Sequence, residues 1–506
     1  MDEGHSPQRD KAPGELLRAE VAAEVMAARS AQAAWAARPL RARVAVFGRL
    51  RHEITERAAH LCAAVEGTNE RSPGETLTAE VVPLADACRF IQRNAARLLA
   101  PRRLGRRGRP AWLTGVRAEI RREPLGVVLV IGPSNYPLLL PGVQSLQAIA
   151  AGNAVVLKPG AGGRPAAEAL ADCLQAAGLD SGLCRVLPES AGAGEASIEA
   201  GVDKVVLTGS APTGRAVLAQ LAPRLVPATM ELSGCDAAFV LGDADLRLVV
   251  DALLFGLRLN RGRTCMSPRR VFVMRDRAQE LERALAAAVQ GSGRMSVDAG
   301  TEARLHELVG EALEQGARLI AGDVAGPQVQ VPLILAGASP EMQLLQEDVM
   351  APVLSLVSVR DADEALAAAD RCPYALGATV FGSEVSASRL AGRINAGVVV
   401  INDMIVPTAD PRVPFGGRGQ SGFGLTRGAE GLLEMTTVKV ILERGGRERP
   451  HLRANAAEVS GLARAYLGAA HGRSAAGRVG AFFRLIGAVL ALRRGAPAPD
   501  EGEEGR

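Results

Sequence analysis

The sequence predicts an α/β protein built on a doubly wound, mainly parallel sheet. Continuous apolar runs at 126–131, 154–157 and 204–207 have the length and valine content of strands buried on both faces. Each run stops at a turn of glycine, proline and small polar residues, and helical stretches at 141–151 and 164–177 alternate with the runs. At 506 residues the chain is too long for one small core, so two or three domains are expected.

Composition narrows the class. With 48% hydrophobic and 23% charged residues the chain reads as soluble and globular, and with aromatics at only 3% its cores must be aliphatic. The net charge of +4 is small for this length, and no aromatic–basic alternation suggests a nucleic-acid groove. Seven cysteines, scattered and without a C-x-x-C pair, exclude a disulfide framework and a zinc site and point to a reducing, cytoplasmic setting. Residues 1–18 are charged and lack the apolar core of a signal peptide. No run reaches the ~18 apolar residues of a membrane span.

In chain order, residues 1–13 read as disordered. Residues 15–100 read as helices that pack and carry no chemistry, with a continuous run over 40–65 and a kink at Pro83. The basic segment 101–110 leads into 112–120, a strand–turn–strand pattern that suits a solvated hairpin against another subunit as well as a phosphate contact. Strand, turn and helix then recur. The strand at 126–131 ends in Gly132-Pro133-Ser134-Asn135, that at 154–157 in Lys158-Pro159-Gly160, and a short strand follows at 184–187. The strand at 204–207 ends in Thr208-Gly209-Ser210-Ala211-Pro212-Thr213-Gly214, where a helix N-terminus favours an anion such as pyrophosphate; a generic strand–helix turn would look much the same. Beyond Glu231 come helices at 278–290 and 301–315 and strands at 329–335, 397–402 and 434–442. Gln346-Glu347-Asp348-Val349 reads as a solvated turn or as an acceptor for ribose hydroxyls, and 414–424 is too glycine-rich for an element.

The stretch with most chemical character is Asn260-Arg261-Gly262-Arg263-Thr264-Cys265-Met266-Ser267, a thiol among small and polar residues just before the β-type run 271–273. A lone cysteine is more often core than nucleophile. Here it has company: Glu231 as a base, Asn135 as an amide donor and Lys158 as a cation, each beside a strand end. A thiol is mostly protonated at neutral pH and needs such a base to become a nucleophile.

This ordered set resembles the aldehyde dehydrogenase superfamily over about 15–444. The resemblance implies a doubly wound cofactor domain, an α/β catalytic domain and a small oligomerisation hairpin. It makes Cys265 the nucleophile, Glu231 the general base and Asn135 the oxyanion donor. It places NAD or NADP against Pro133, Lys158, Gly209, Ser210, Gly214 and Asp348, with an aldehyde as substrate and no metal. The implied boundaries are 1–103 for N-terminal helices, 104–124 for the hairpin, 125–231 for the cofactor domain, 232–429 for the catalytic domain, 430–446 for a return strand and 447–506 for a helical extension. A homodimer or homotetramer is expected. Departures from the family pattern are Arg263 where a glutamine is usual, Asp348 and Met350 in the acidic motif, and Ala161 where an acid often favours NAD. Two other readings stay in view, a coenzyme A-acylating enzyme and a catalytically silent scaffold. The extension adds one expectation: Phe482, Phe483, Ile486, Val489 and Leu490 fall on one helical face within 479–492, flanked by arginines. That face suits a membrane interface or docking against protein.

Overall fold

The computed structural model describes residues 13–69, 71–290, 295, 297–326, 328–446, 449, 452 and 456–494. The stretch read as disordered lies outside these, save Pro13, which opens the helix Pro13–Ala36. The chain divides into two compact units, Met1–Arg102 with Ile120–Lys439, and Arg103–Glu119 with Val440–Arg506.

The larger unit holds two sheets, with strands numbered along the chain. The first runs β17 (Gly422–Phe423), β7 (Ala228–Leu232), β6 (Lys204–Gly209), β3 (Val127–Ile131), β4 (Ala154–Lys158), β5 (Cys184–Val186). All pairs are parallel except β17 with β7. Every residue of β3 is buried, which explains an unbroken apolar run where a half-exposed strand would alternate. From β3 the chain winds outward through β4 and β5, then crosses to β6 and β7 on the other side. The carboxyl end of β3 is therefore a topological switch point, where a crevice opens in such sheets.

The second sheet runs β10 (Arg318–Asp323), β11 (Gln330–Ala336), β12 (Val353–Val359), β9 (Pro268–Met274), β8 (Asp236–Val240), β14 (Gly377–Phe381), β15 (Val398–Ile401). Its centre is β9, paired in parallel with β8 and β12. Phe272 of β9 stacks on Phe239 of β8 with ring centroids 5.5 Å apart. The short strands β13 (Tyr374–Ala375) and β16 (Arg418–Gly419) pair with each other. A third sheet orders β1 (Arg102–Leu104), β2 (Val116–Pro124) and β18 (Thr436–Arg444).

Several local expectations need correction. Residues 112–120 form no local hairpin: Ala111–Leu113 is a 3-10 turn, and β2 begins after Gly115, whose φ of +88° makes the turn. The run over 40–65 is two helices, Leu40–Glu56 and Ala58–Asn69. The helical path is continuous from Pro73 to Leu98, and a π-type turn, Leu77–Val81, sits just before Pro83.

In the smaller unit the helices Ala456–His471 and Ala475–Arg494 pack on each other. A Cβ on Gly468 would stand 2.8 Å from the Ala481 Cβ, so the helices approach closely there. Ala481 is buried, whereas Phe482, Phe483, Ile486, Val489 and Leu490 are exposed. Among the described residues no helix is long and apolar enough to cross a membrane.

Candidate active site

Parallel register lines up the strand ends. Ile131 pairs with Lys158, Thr208 with Glu231 and Gly209 with Leu232. The turn after β3, the end of β4, the turn after β6 and the end of β7 thus share one edge of the sheet. The segment leading into β9 comes to the same place from the second sheet. The Asn135 Nδ2 donates to the Arg263 carbonyl at 2.8 Å, and the Asn260 Nδ2 donates to the Asn135 carbonyl at 2.8 Å. The Tyr136 hydroxyl and Thr264 Oγ1 share a hydrogen bond of 2.7 Å.

The chain before Cys265 holds an uncommon backbone. Asn260, Arg261 and Gly262 are all left-handed, with φ of 49°, 56° and 71°. For a non-glycine residue this costs about 1–2 kcal/mol, somewhat less for asparagine. The surroundings over-determine it. Asn260 N–H donates to Glu75 at 2.6 Å, and Arg269 donates to the Gly262 carbonyl at 2.7 Å. A Cβ at Gly262 would stand 2.6 Å from the Pro352 nitrogen. Strain held this firmly marks a segment whose shape is used.

Glu231 is buried at the end of β7, where Gly422 of β17 pairs with it. One carboxylate oxygen accepts from the Thr426 hydroxyl at 3.2 Å, and the other has no hydrogen-bond partner among the described residues. Burial pushes its pKa above the usual carboxylate range, against the opposing Arg427 charge and the Thr426 bond. Burial also pushes the Cys265 thiol up, and the charges of Glu231 and Asp236 add to this. The resting site therefore keeps the thiol protonated, with a carboxyl group close enough to feel its charge. Gly234 approaches the same segment, since a Cβ there would stand 2.7 Å from the Cys265 carbonyl oxygen.

Cys265 opens on a cavity of about 460 Å³, lined also by Tyr136, Leu139, Phe255 and Phe415. Arg427 lies over the Phe415 ring, 4.7 Å from its centroid.

The remaining candidates fall as follows. Pro133 adjoins Gly160, where a Cβ would stand 2.4 Å from the Pro133 carbonyl carbon, so the loops after β3 and β4 touch. Lys158 is half-buried, its carbonyl accepting from Gly132 N–H at 2.9 Å and its ammonium without a hydrogen-bond partner among the described residues; burial lowers its pKa and the nearby Glu189 charge opposes this. Ser210 caps the helix Ala211–Leu221 by accepting from Thr213 N–H at 3.3 Å. Gly209 ends β6, and Gly214 lets that helix pack on Leu232, which a Cβ would meet at 2.8 Å. The Asp348 side chain is buried and ion-paired with Arg269 at 3.3 Å, its second oxygen without a hydrogen-bond partner among the described residues. Its neighbour Glu347 is held by Arg304 instead.

One sequence expectation was wrong here: the helices of 15–100 do carry groups to this site. Besides Glu75, they deliver Glu80, which accepts from the Leu138 and Leu139 N–H groups at 2.8 and 2.9 Å and pairs with buried Arg71. The Arg71 guanidinium lies 5.0 Å from the Tyr136 ring centroid. Thr426 and Arg427 were also missed, standing just past the flagged glycine-rich segment.

A doubly wound sheet with a switch-point crevice is a frame on which enzymes bind nucleotides, and here a buried carboxyl and a thiol lining a cavity lie beside it. The sequence pattern of the aldehyde dehydrogenase family matches residues 13–441, and the chain belongs to that family, whose homologues use NAD or NADP. It is 32% identical to a 4,4'-diapolycopene aldehyde oxidase of Methylomonas sp, over 81% of this chain and 78% of that one. It is 33% identical to a Mycobacterium bovis protein named putative succinate-semialdehyde dehydrogenase (NADP(+)) 2, over 84% of each. Among solved structures it resembles a Mycobacterium tuberculosis aldehyde dehydrogenase complexed with NAD+, with a TM-score of 0.77 at 28% identity, covering 85% of this chain and 92% of that one.

Proposed function

We propose that this chain oxidises an aldehyde to the carboxylic acid through a thiohemiacetal and then a thioester on Cys265. The observation that carries this reading is the buried Glu231 oxygen without a hydrogen-bond partner among the described residues, within electrostatic reach of the thiol. Glu231, directly or through water, takes the thiol proton as sulfur bonds to the carbonyl carbon. The oxyanion is held by the Cys265 N–H and by Asn135. One amide hydrogen of Asn135 is spent on Arg263, which aims the group and leaves the second hydrogen for the substrate. NAD or NADP, when bound, supplies the acceptor for the hydride that leaves the thiohemiacetal carbon. Glu231 passes that first proton to solvent, then takes a proton from water as it attacks the thioester; the C–S bond breaks, the proton returns to the Cys265 sulfur, and the acid leaves as product.

The residues present fit such a cofactor. The unpartnered Lys158 ammonium and the spare Asp348 oxygen suit ribose hydroxyls, and the capped turn at Gly209 and Ser210 suits a pyrophosphate. Pro133 would flank it, and Gly214 keeps the helix close to the sheet. The test is reduced-nicotinamide formation over a panel of aldehydes, with and without coenzyme A. A free acid as product supports hydrolysis. An acyl-coenzyme A product supports the acylating reading, and no turnover with any aldehyde supports the silent scaffold.

Two assembly readings accompany this. The exposed Val438, Val440, Ile441 and Leu442 of β18 would be covered by a second copy in a homodimer or homotetramer, which light scattering tests. The five exposed apolar residues of Ala475–Arg494, in a helix pair with five arginines and a single acid, suit an anionic membrane surface in a cytoplasmic setting. Loss of liposome co-sedimentation in full-length Phe482→Glu/Phe483→Glu would support that contact, and equal sedimentation of both proteins would refute it.

A further inference from the structure

The names of the two relatives point to dissimilar aldehydes, so the chemistry of the substrate has to be read from the cavity over Cys265. Its wall carries few polar groups, and those are committed to protein partners. Thr78 Oγ1 donates to the Gly74 carbonyl at 2.9 Å, and Thr408 Oγ1 to the Ile405 carbonyl at 2.7 Å. Tyr136 and Thr264 bond to each other. The rest of the wall is hydrocarbon, with Leu139, Leu140, Leu259 and Phe415 inside and Phe255 and Val406 at positions 40% and 56% exposed. An apolar chain can therefore lie along the wall from solvent to thiol without stranding a polar group.

The two charges on the wall are committed as well. Arg427 donates to the Thr408 carbonyl at 2.8 Å, lies over Phe415 and helps the Glu231 carboxyl to ionise. Glu75 accepts from Asn260 N–H and brings negative charge to the wall. An aldehyde ending in a carboxylate would meet the like charge of Glu75, while Arg427 is turned to the Thr408 carbonyl and the Phe415 ring. Losing its hydration there without a partner disfavours it.

From this geometry we infer that the substrate is an aldehyde on a long, uncharged hydrocarbon chain. The inference rests on the proposed function and names the substrate class of the same site. Each methylene moved from water onto the wall should raise kcat/KM about fourfold until the cavity is filled.

The test compares butanal, hexanal, decanal and succinate semialdehyde on the wild-type enzyme. The inference expects kcat/KM to climb along the alkanals and decanal to exceed succinate semialdehyde by at least about 100-fold. A flat series, or succinate semialdehyde ahead of decanal, overturns it. Val406→Arg, at the exposed part of the wall, should narrow the gap between the two from both sides, and an unchanged ratio counts against the inference. If no aldehyde reduces the nicotinamide, the proposed function fails, and calorimetry on Cys265→Ala still decides the inference. Decanal binding at least tenfold tighter than succinate semialdehyde sustains it, and equal or reversed affinities overturn it.

Discussion

The side-chain amide of Asn135 and the carbonyl of Arg263 are joined by a 2.8 Å hydrogen bond across 128 residues of chain. It fixes the turn after β3 to the residue two before Cys265, so one bond sets both the direction of the proposed oxyanion donor and the path of the thiol segment. Asn135→Ala should lower kcat by about 10²–10³-fold, the usual loss for one oxyanion donor. Stopped-flow rates of hydride transfer should fall with it. A loss confined to KM would remove Asn135 from that role.

Arg71 and Glu80 have fully buried side chains, and Glu80 also holds the first N–H groups of the helix Leu139–Ala151. Burial raises the Glu80 pKa, so its charge depends on the partner. Arg71→Met should destabilise the protein by about 3–5 kcal/mol, because it leaves a buried charge uncompensated. Combining it with Glu80→Leu should recover part of that loss. Denaturant unfolding of the single and double variants measures this, and additive losses would mean that the pair does not act as a pair.

At the carboxyl end of β4, Glu189 accepts from Gly162 and Arg164 N–H, each at 2.8 Å, and acts electrostatically on Lys158. An acid therefore stands on the loop after β5, close to Lys158, where position 161 carries none. A 2′-phosphate would meet this carboxylate, and Arg164 is already paired with Glu168 at 2.7 Å. Equilibrium binding should favour NAD over NADP by about tenfold or more, for one uncompensated like-charge contact. Glu189→Gln should reduce that preference, and a wild-type preference for NADP would contradict the argument.

Glu231 has its pKa raised by burial, so it gives up its proton at a higher pH than an exposed carboxyl. As a base it works only when ionised. Thioester hydrolysis should therefore rise with pH through an apparent pKa above the ordinary carboxylate range, then level off. Glu231→Gln should remove that limb of the profile. A profile unchanged by the substitution would assign the titration to another group.

The parallel strands were legible because β3, β4 and β6 are buried on both faces, which leaves unbroken valine runs that few other elements produce. Cys265 and Asn135 stood out because each sits in a turn beside a strand, and Glu231 because it lies near a strand's end. Glu75 and Glu80 did not, since a lone acid in a helix looks the same on a solvated face as against a strained turn. Thr426 lies 195 residues from Glu231, and only the pairing of β17 with β7 brings them together. The strand β10, with its intermediate and exposed residues, lacks the apolar run that revealed β3, β4 and β6, and β7, β8 and β14 were also not read as strands.

The most direct test of the proposed chemistry is mass spectrometry of the Glu231→Gln enzyme after a single turnover with NAD and a saturated aldehyde. With water taking the thiol proton more slowly in this variant, hydride transfer is spared more than hydrolysis and should leave an acyl group on Cys265, a gain equal to the mass of the aldehyde less two hydrogens, with one equivalent of reduced cofactor. No adduct while turnover continues, or an adduct on another cysteine, would contradict the thioester at Cys265.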